Sequence, residues 1–105
     1  MEFIETPTFT RAVLRWLDDD AYAAMQATLA LRPDVGRLIP GGSGLRKLHW
    51  AGTGRAKRGG LRVIYYWLAA DDQIWMLLAY PKNERDDLSP EQMKRLKALV
   101  EDLQR

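Results

Sequence analysis

The sequence lacks cysteine altogether, which excludes disulfide bonds, thiolate metal sites and cysteine nucleophiles. It has a single histidine, His49, so a ribonuclease mechanism that uses two histidines is also excluded. No apolar run approaches the roughly 20 residues that a membrane-spanning helix needs. The N-terminal residues have neither the basic start nor the apolar core of a signal peptide. We therefore expect a cytoplasmic protein that makes no contact with a membrane.

Acidic residues are missing from a long central stretch, residues 35–70. All the charged residues of this stretch are cations: Arg37, Arg46, Lys47, Arg55, Lys57, Arg58 and Arg62. The whole chain has a net charge of only +2, so the rest of the sequence is net acidic. This segregation of charge predicts a face that binds a polyanion.

Motifs for metal ions and nucleotide cofactors are also missing. There is no HExxH pattern, and the aspartates of residues 18–20 and 86–87 stand where helix starts or solvated turns are expected. The glycines of residues 52–60 follow the spacing GxGxxxxGG, which is neither a Walker A loop nor a dinucleotide fingerprint. We expect no metal ion and no cofactor.

The pattern of apolar residues predicts one domain over residues 1–105, a length that suits one domain and not two. The predicted elements are a strand at residues 2–5, a helix capped by Thr8 or Thr10 that runs to about Leu17, a helix at residues 20–31, strands at residues 45–51, 61–68 and 73–80, and a helix with Ser89 at its N-cap. Ser89, Pro90 and Gln92 form the pattern of a capping box. A glycine-rich connection at residues 36–44 is expected on the surface.

This order, β-α-α-β-β-β-α, predicts an α+β fold. Consecutive strands with short links form a mostly antiparallel sheet, and we expect the helices to pack on one side of it. Residues 61–68 are apolar at both alternating sets of positions, which is typical of a central strand.

The segment between the first two central strands, residues 51–60, combines four glycines with three cations. The cations are Arg55, Lys57 and Arg58. Glycine lets the backbone approach a ligand closely, while guanidinium and ammonium groups bind phosphate oxygens. The alternative is a flexible basic hairpin without a ligand. Cations on the flanking strands favour the phosphate-binding interpretation.

Arg62 begins a strand whose other side chains are apolar. A charge at this position has to face solvent, pair with an acid such as Glu84, or meet an anionic substrate. In the last case it would stabilise the charge that develops on a scissile phosphate. Lys82 and Asn83 follow the third central strand, where they either form a solvated loop or add donors beside Arg62.

Two other kinds of side chain could contact RNA. A lone histidine such as His49 is more often a surface or partner-binding residue than a general base. Aromatic side chains can stack with unpaired bases when they face a groove. Most aromatic residues here should be core, and we expect one of Tyr65 and Tyr66 to be exposed.

Three segments of the sequence resemble the HigB-like branch of the RelE/ParE toxins. They are residues 44–48 (GLRKL), 54–66 (GRAKRGGLRVIYY) and 80–84 (YPKNE). The second is the most specific: a basic loop, two glycines, an arginine one residue later, two apolar residues and two tyrosines. Ala56 stands where a glycine is common in that family. The likeness extends over essentially the whole chain.

The resemblance implies a microbial-ribonuclease-like domain that acts as the toxin of a type II toxin–antitoxin system. Such toxins enter the ribosomal A site and cleave mRNA, and a cognate antitoxin protein neutralises them. By match, Arg62 takes the position of the family's phosphate-stabilising arginine. The implied catalytic residues are Lys57, Arg62 and Lys82, and the implied RNA- or ribosome-binding residues are Arg46, Lys47, Arg55, Arg58, Tyr65 and Asn83.

The sequence also departs from the better-known RelE pattern. Asn83 stands where that pattern has a second arginine, and Ser89 stands where it has a tyrosine that transfers a proton. The implied chemistry is metal-free transesterification, in which Lys57 could act as base if the neighbouring cations lower its pKa. Two alternatives remain: a ParE-like inhibitor of DNA gyrase without nuclease activity, and a degenerate domain that only binds an antitoxin.

Overall fold

The computed structural model describes residues 1–51, 60–85 and 87–105. Their elements are β1 (Glu2–Glu5), α1 (Pro7–Trp16), α2 (Asp19–Leu31), β2 (Arg37–Leu38), β3 (Arg46–Trp50), β4 (Leu61–Leu68), a 3-10 turn (Ala69–Asp71), β5 (Gln73–Pro81) and α3 (Pro90–Leu103). All the predicted strands and helices are present. β2 was not predicted, because two residues within a glycine-rich connection are too few to form a pattern.

The five strands form one sheet in the order β1-β5-β4-β3-β2. The pairs β2–β3, β3–β4 and β4–β5 are antiparallel, and β1 pairs parallel with β5. The predicted α+β fold with a mostly antiparallel sheet is therefore confirmed. β4 is the central strand, as its apolar sequence predicted, and Leu61 to Tyr66 are all buried.

Side-chain caps fix where the helices begin. The hydroxyl of Thr6 accepts the backbone N–H of Phe9 at 3.1 Å, so α1 starts before the threonines that were predicted to cap it. Asp18 caps α2 in the same way. In α3 the Ser89 hydroxyl accepts the N–H of Gln92, while the Gln92 side chain accepts the N–H of Ser89, each at 3.1 Å. The predicted capping box is confirmed.

The helices cover both faces of the sheet. α1 and α2 contribute Phe9, Val13, Met25 and Leu29, and Leu17 at the C-cap of α1 adds to them, in a core on one face, here called the α1–α2 face. α3 contributes Val100, with Met93, Leu96, Leu99 and Leu103 packed around it, to a core on the opposite face, here called the α3 face. The expectation that all helices share one side is therefore wrong for α3. The reason is that β4 presents apolar side chains to both faces, and both have to be covered.

Candidate nucleic-acid interface

Three side chains form a row across neighbouring strands at one end of the α3 face. Arg62 on β4 is the register partner of His49 on β3 and of Tyr80 on β5. Side chains directly opposite each other in an antiparallel pair point to the same face, with Cβ atoms roughly 5 Å apart. We call this set the His49–Arg62–Tyr80 row. It brings a guanidinium, an imidazole and a phenol together.

Arg62 is the only charged residue in the buried class among the described residues, with 5 % of its surface exposed. An arginine side chain stays protonated even when it is buried. Its charge is therefore permanent, and the surrounding strands hold it in a fixed position. A fixed cation of this kind is suited to stabilising an anion that is brought to it, because it needs little reorganisation when charge develops.

Lys47 extends the row along β3. It is the register partner of Ile64 and lies two residues from His49, so it faces the same side of the sheet. Its Nζ atom lies 2.9 Å from Oδ1 of Asp87 in the segment that leads into α3. The hydrogen bond and the charge of Lys47 lower the pKa of Asp87. The sequence alone predicts for Asp87 only a helix-start or solvated charge.

Arg46 lies on the opposite face. It is the register partner of Tyr65, which belongs to the core on the α1–α2 face. Its Nη1 atom donates to the backbone carbonyls of Asp34 at 3.1 Å and of Gly36 at 2.8 Å. Arg46 therefore holds the chain between α2 and β2, and it does not join the cations around Arg62.

The two tyrosines of β4 are both buried, with 0 % of Tyr65 and 8 % of Tyr66 exposed. The expectation that one of them is exposed for stacking is wrong. The Tyr65 hydroxyl donates to the carbonyl of Pro33 at 2.7 Å and accepts the N–H of Gly36 at 2.9 Å, while burial raises its pKa. In this conformation a nucleobase has no access to the Tyr65 ring. The ring is closed off because the helices cover both faces of the sheet.

Lys82 and Asn83 are exposed in a turn directly after β5. The backbone N–H of Lys82 donates to the carbonyl of Gly60 at 3.2 Å, which holds this turn beside the start of β4. Lys82 is thereby brought to within two strand positions of Arg62. This geometry agrees with the expectation that the turn would lie at the end of the sheet, next to the strand that carries Arg62.

Arg85 is a cation that sequence reasoning missed. Its guanidinium carbon lies 4.8 Å from the centre of the Tyr80 ring, and its Nη1 atom donates to Oε1 of Gln92 at 2.8 Å. Gln92 is the residue that completes the capping box of α3. Arg85 is therefore tied both to the His49–Arg62–Tyr80 row and to the first turn of a helix. One feature of the sequence could have indicated this role for Arg85. The residue lies four positions after Pro81, in the turn that follows a strand rich in aromatic and apolar residues.

The predicted basic loop lies outside the described residues. Residues 52–59 include Arg55, Lys57 and Arg58, so the roles expected for these three cations remain predictions. Trp50 and Leu61, close to the two ends of this segment, are register partners at the end of β3 and the start of β4. This pair of described residues is next to the pairing of His49 with Arg62.

The chemistry available from the described residues is that of positive charge and of proton exchange at one histidine. His49 is exposed, and histidine is the side-chain type whose ordinary pKa lies nearest to neutral. Within residues 1–51, 60–85 and 87–105, no three His, Asp or Glu side chains are grouped so that they could hold a metal ion. The longest described helix has 14 residues, and none combines the length and apolar character that a membrane crossing requires. No family model matches the chain.

Proposed function

We propose that this protein is an endoribonuclease that cleaves mRNA on the ribosome, and that it acts as the toxin of a type II toxin–antitoxin system. Its partners are then the ribosome, mRNA and a cognate antitoxin protein, and its place of action is the cytoplasm. This proposal joins the resemblance in the sequence to the arrangement of charge on the α3 face.

The observation that carries the proposal is the His49–Arg62–Tyr80 row. A buried guanidinium is flanked on neighbouring strands by an exposed imidazole and a buried phenol, with the Lys47 ammonium further along the same face. A single-stranded RNA backbone offers one negative charge per nucleotide to such a face. Cations on a rigid sheet bind phosphate without having to be ordered first.

The proposed reaction is a transesterification within the RNA. The ribose 2′-oxygen forms a bond to the adjacent phosphorus, the bond from phosphorus to the 5′-oxygen breaks, and the products are a cyclic phosphate and a free 5′-hydroxyl. A base takes the proton of the 2′-hydroxyl, and an acid gives a proton to the departing 5′-oxygen. Arg62 stabilises the extra negative charge of the pentacoordinate phosphorus.

Two residues are candidates for the proton transfers. Lys57 is the base that the sequence suggests, and it lies outside the described residues. His49 is the described residue whose ordinary pKa lies nearest to neutral, and it stands directly opposite Arg62. Lys82, which the turn after β5 brings near the start of β4, would add a cation beside the same phosphate.

The test uses purified protein in a translation extract with a defined mRNA, and the new 5′ ends are mapped. We expect cleavage by the natural protein and a loss of roughly 10²–10³-fold in rate for Arg62→Ala. Arg95→Ala is the matched control, since Arg95 is an exposed arginine of α3 that pairs with Glu91 in the same helix. Its cleavage rate should stay within about twofold of the natural rate.

Because Arg62 is buried, its variants need a check on folding. Arg62→Lys keeps the charge but loses the forked donors, and Arg62→Ala is accepted only if its thermal unfolding remains cooperative. Intact mRNA together with accumulated gyrase–DNA breaks would replace the proposal with the gyrase-inhibitor alternative. Intact mRNA without such breaks would leave the antitoxin-binding alternative. A mixture without ribosomes shows whether free RNA is cut.

A further inference from the structure

A cavity of about 150 Å³ opens on the α3 face next to Lys47. It is lined by Ile39, Lys47, Ile64, Asp87, Leu88 and Met93. Four of these six side chains are apolar, and Ile64 is fully buried. Asp87 is 82 % exposed, so the ion pair between Lys47 and Asp87 stands at the mouth of the cavity. The site is thus an apolar pocket with one acceptor and one donor at its entrance.

The size of the cavity matches a single six-membered ring. Apolar cavities of roughly 150 Å³ in proteins bind benzene. Aliphatic walls can pack against the two faces of a flat ring, while the polar edge of the ring needs hydrogen-bond partners at the mouth. A pyrimidine base has this size, whereas a purine has a second fused ring.

The polar pair at the mouth matches the edge of cytosine. A carboxylate accepts hydrogen bonds from the N4 amine of cytosine, and an ammonium donates to a ring nitrogen or carbonyl. Nζ of Lys47 and Oδ1 of Asp87 lie 2.9 Å apart, so they can meet a neighbouring donor and acceptor on one base edge. The Lys47 ammonium also donates a hydrogen bond to the Asp87 carboxylate, so the two groups hold each other in place at the mouth of the cavity.

We propose that this cavity is a subsite for a cytosine base of the RNA. The proposal rests on the proposed nuclease function for the identity of the strand that carries the base. Ile64 in the cavity wall lies two residues from Arg62 on the same face of β4, which is a distance of about 7 Å along the strand. A single nucleotide can therefore place its base in the cavity and its phosphate near Arg62.

The binding test follows the methionine methyl groups by NMR in a protein labelled with ¹³C at those methyls. Met93 lines the cavity, whereas Met25 and Met76 are fully buried in the core on the α1–α2 face and act as internal controls. The probes are CMP, UMP, AMP and ribose 5-phosphate. We expect CMP to shift the Met93 signal in a saturable way while the Met25 and Met76 signals stay in place.

Asp87→Asn separates base recognition from phosphate binding. If the base uses both polar groups, this variant should weaken CMP binding by roughly tenfold. If a phosphate alone sits on Lys47, the same variant should strengthen binding, since it removes the competing carboxylate. Glu91→Gln is the matched control, because the Glu91–Arg95 pair on α3 also has a separation of 2.9 Å and lies outside the cavity.

Each outcome decides the proposal. A Met93 response that is strongest with CMP and weaker in Asp87→Asn supports it. An equal response to AMP, to UMP or to ribose 5-phosphate overturns it, and so does no response to any probe at millimolar concentration. The cleavage assay stands apart: a protein that binds CMP in this way but cuts no RNA keeps the subsite and loses the nuclease. A protein that cuts RNA without any Met93 response keeps the nuclease and loses the subsite.

Discussion

Tyr65 lies against Gly36 so closely that a Cβ atom at position 36 would be 2.7 Å from Cε1 of the tyrosine ring. The same tyrosine accepts the buried N–H of Gly36 and donates to the carbonyl of Pro33. This contact holds the segment that follows α2 against the central strand, β4. Arg46 strengthens it from β3 by donating to the carbonyl of Gly36.

Replacing Tyr65 with Phe should lower the free energy of unfolding by about 1–3 kcal/mol, because the buried N–H of Gly36 would lose its acceptor. The measurement is urea unfolding followed by circular dichroism. Tyr66→Phe is the matched control, since the Tyr66 hydroxyl accepts a hydrogen bond of 3.3 Å from the side chain of Gln104, an exposed residue. The assignment fails if the two variants lose the same stability.

The carboxyl group of Asp87 should titrate below its ordinary pKa, because Lys47 favours its charged form. Folding lowers the pKa of Asp87, so the ion pair contributes to the stability of the fold at pH values above the unfolded pKa. This stabilisation is lost as the pH falls through the folded pKa. NMR of the carboxyl carbon reports the midpoint. In Lys47→Ala the midpoint should rise toward the ordinary value of an aspartate. Lys94→Ala, an exposed change on α3, should leave it unchanged.

Tyr22 predicts a loss of stability at alkaline pH. Burial and the carboxylate of Glu5, which accepts from the Tyr22 hydroxyl at 2.5 Å, raise the pKa of this tyrosine. A raised pKa means that folding favours the neutral form of Tyr22. Its contribution to the stability of the fold is therefore complete below the unfolded pKa of about 10 and is lost as the pH rises above that value. Urea unfolding between pH 8 and 11 should show a shallower decline for Tyr22→Phe than for the natural protein. Equal slopes would contradict this.

Arg85 should contribute to RNA affinity if the α3 face binds RNA. Arg85→Ala should weaken binding of a single-stranded RNA and lower the slope of log affinity against log salt concentration by roughly 0.7, the contribution of one phosphate contact. Arg105→Ala is the control, because Arg105 pairs with Asp102 at the far end of α3. Equal slopes for the two variants would show that Arg85 only covers the Tyr80 ring.

Local signals in the sequence were sufficient for most of the fold. Ser89 and Gln92 lie three residues apart, so the capping box depends only on neighbours that the chain itself supplies. β4 was predicted with its full length, Leu61–Leu68, because it is apolar at every position but one. The mostly antiparallel sheet followed from the short links between consecutive strands.

The sequence was less informative where a side chain depends on what covers its face. Alternation along β3 puts Arg46 and Lys47 on opposite faces, but it does not say which face also holds Arg62. Likewise, Tyr65 and Tyr66 point to opposite faces, and the prediction that one is exposed assumed an uncovered face. α3 covers that face, since its apolar residues pack on Tyr66 and its neighbours. Arg85 and Asp87 approach the sheet only through the turn after β5, whose path has no periodic signal.

The parallel pairing of β1 with β5 affects the order in which the sheet can be completed. The side chain of Thr6 at the end of β1 donates to the carbonyl of Leu77 at 2.8 Å, and these residues are 71 positions apart in the chain. During translation β1 is therefore made before β5 and cannot pair with it until the intervening residues have been synthesised. Such a distant pairing slows folding, because a long loop must close before the contact forms. In a nascent chain that is interrupted before β5, β1 lacks the strand with which it pairs in the sheet.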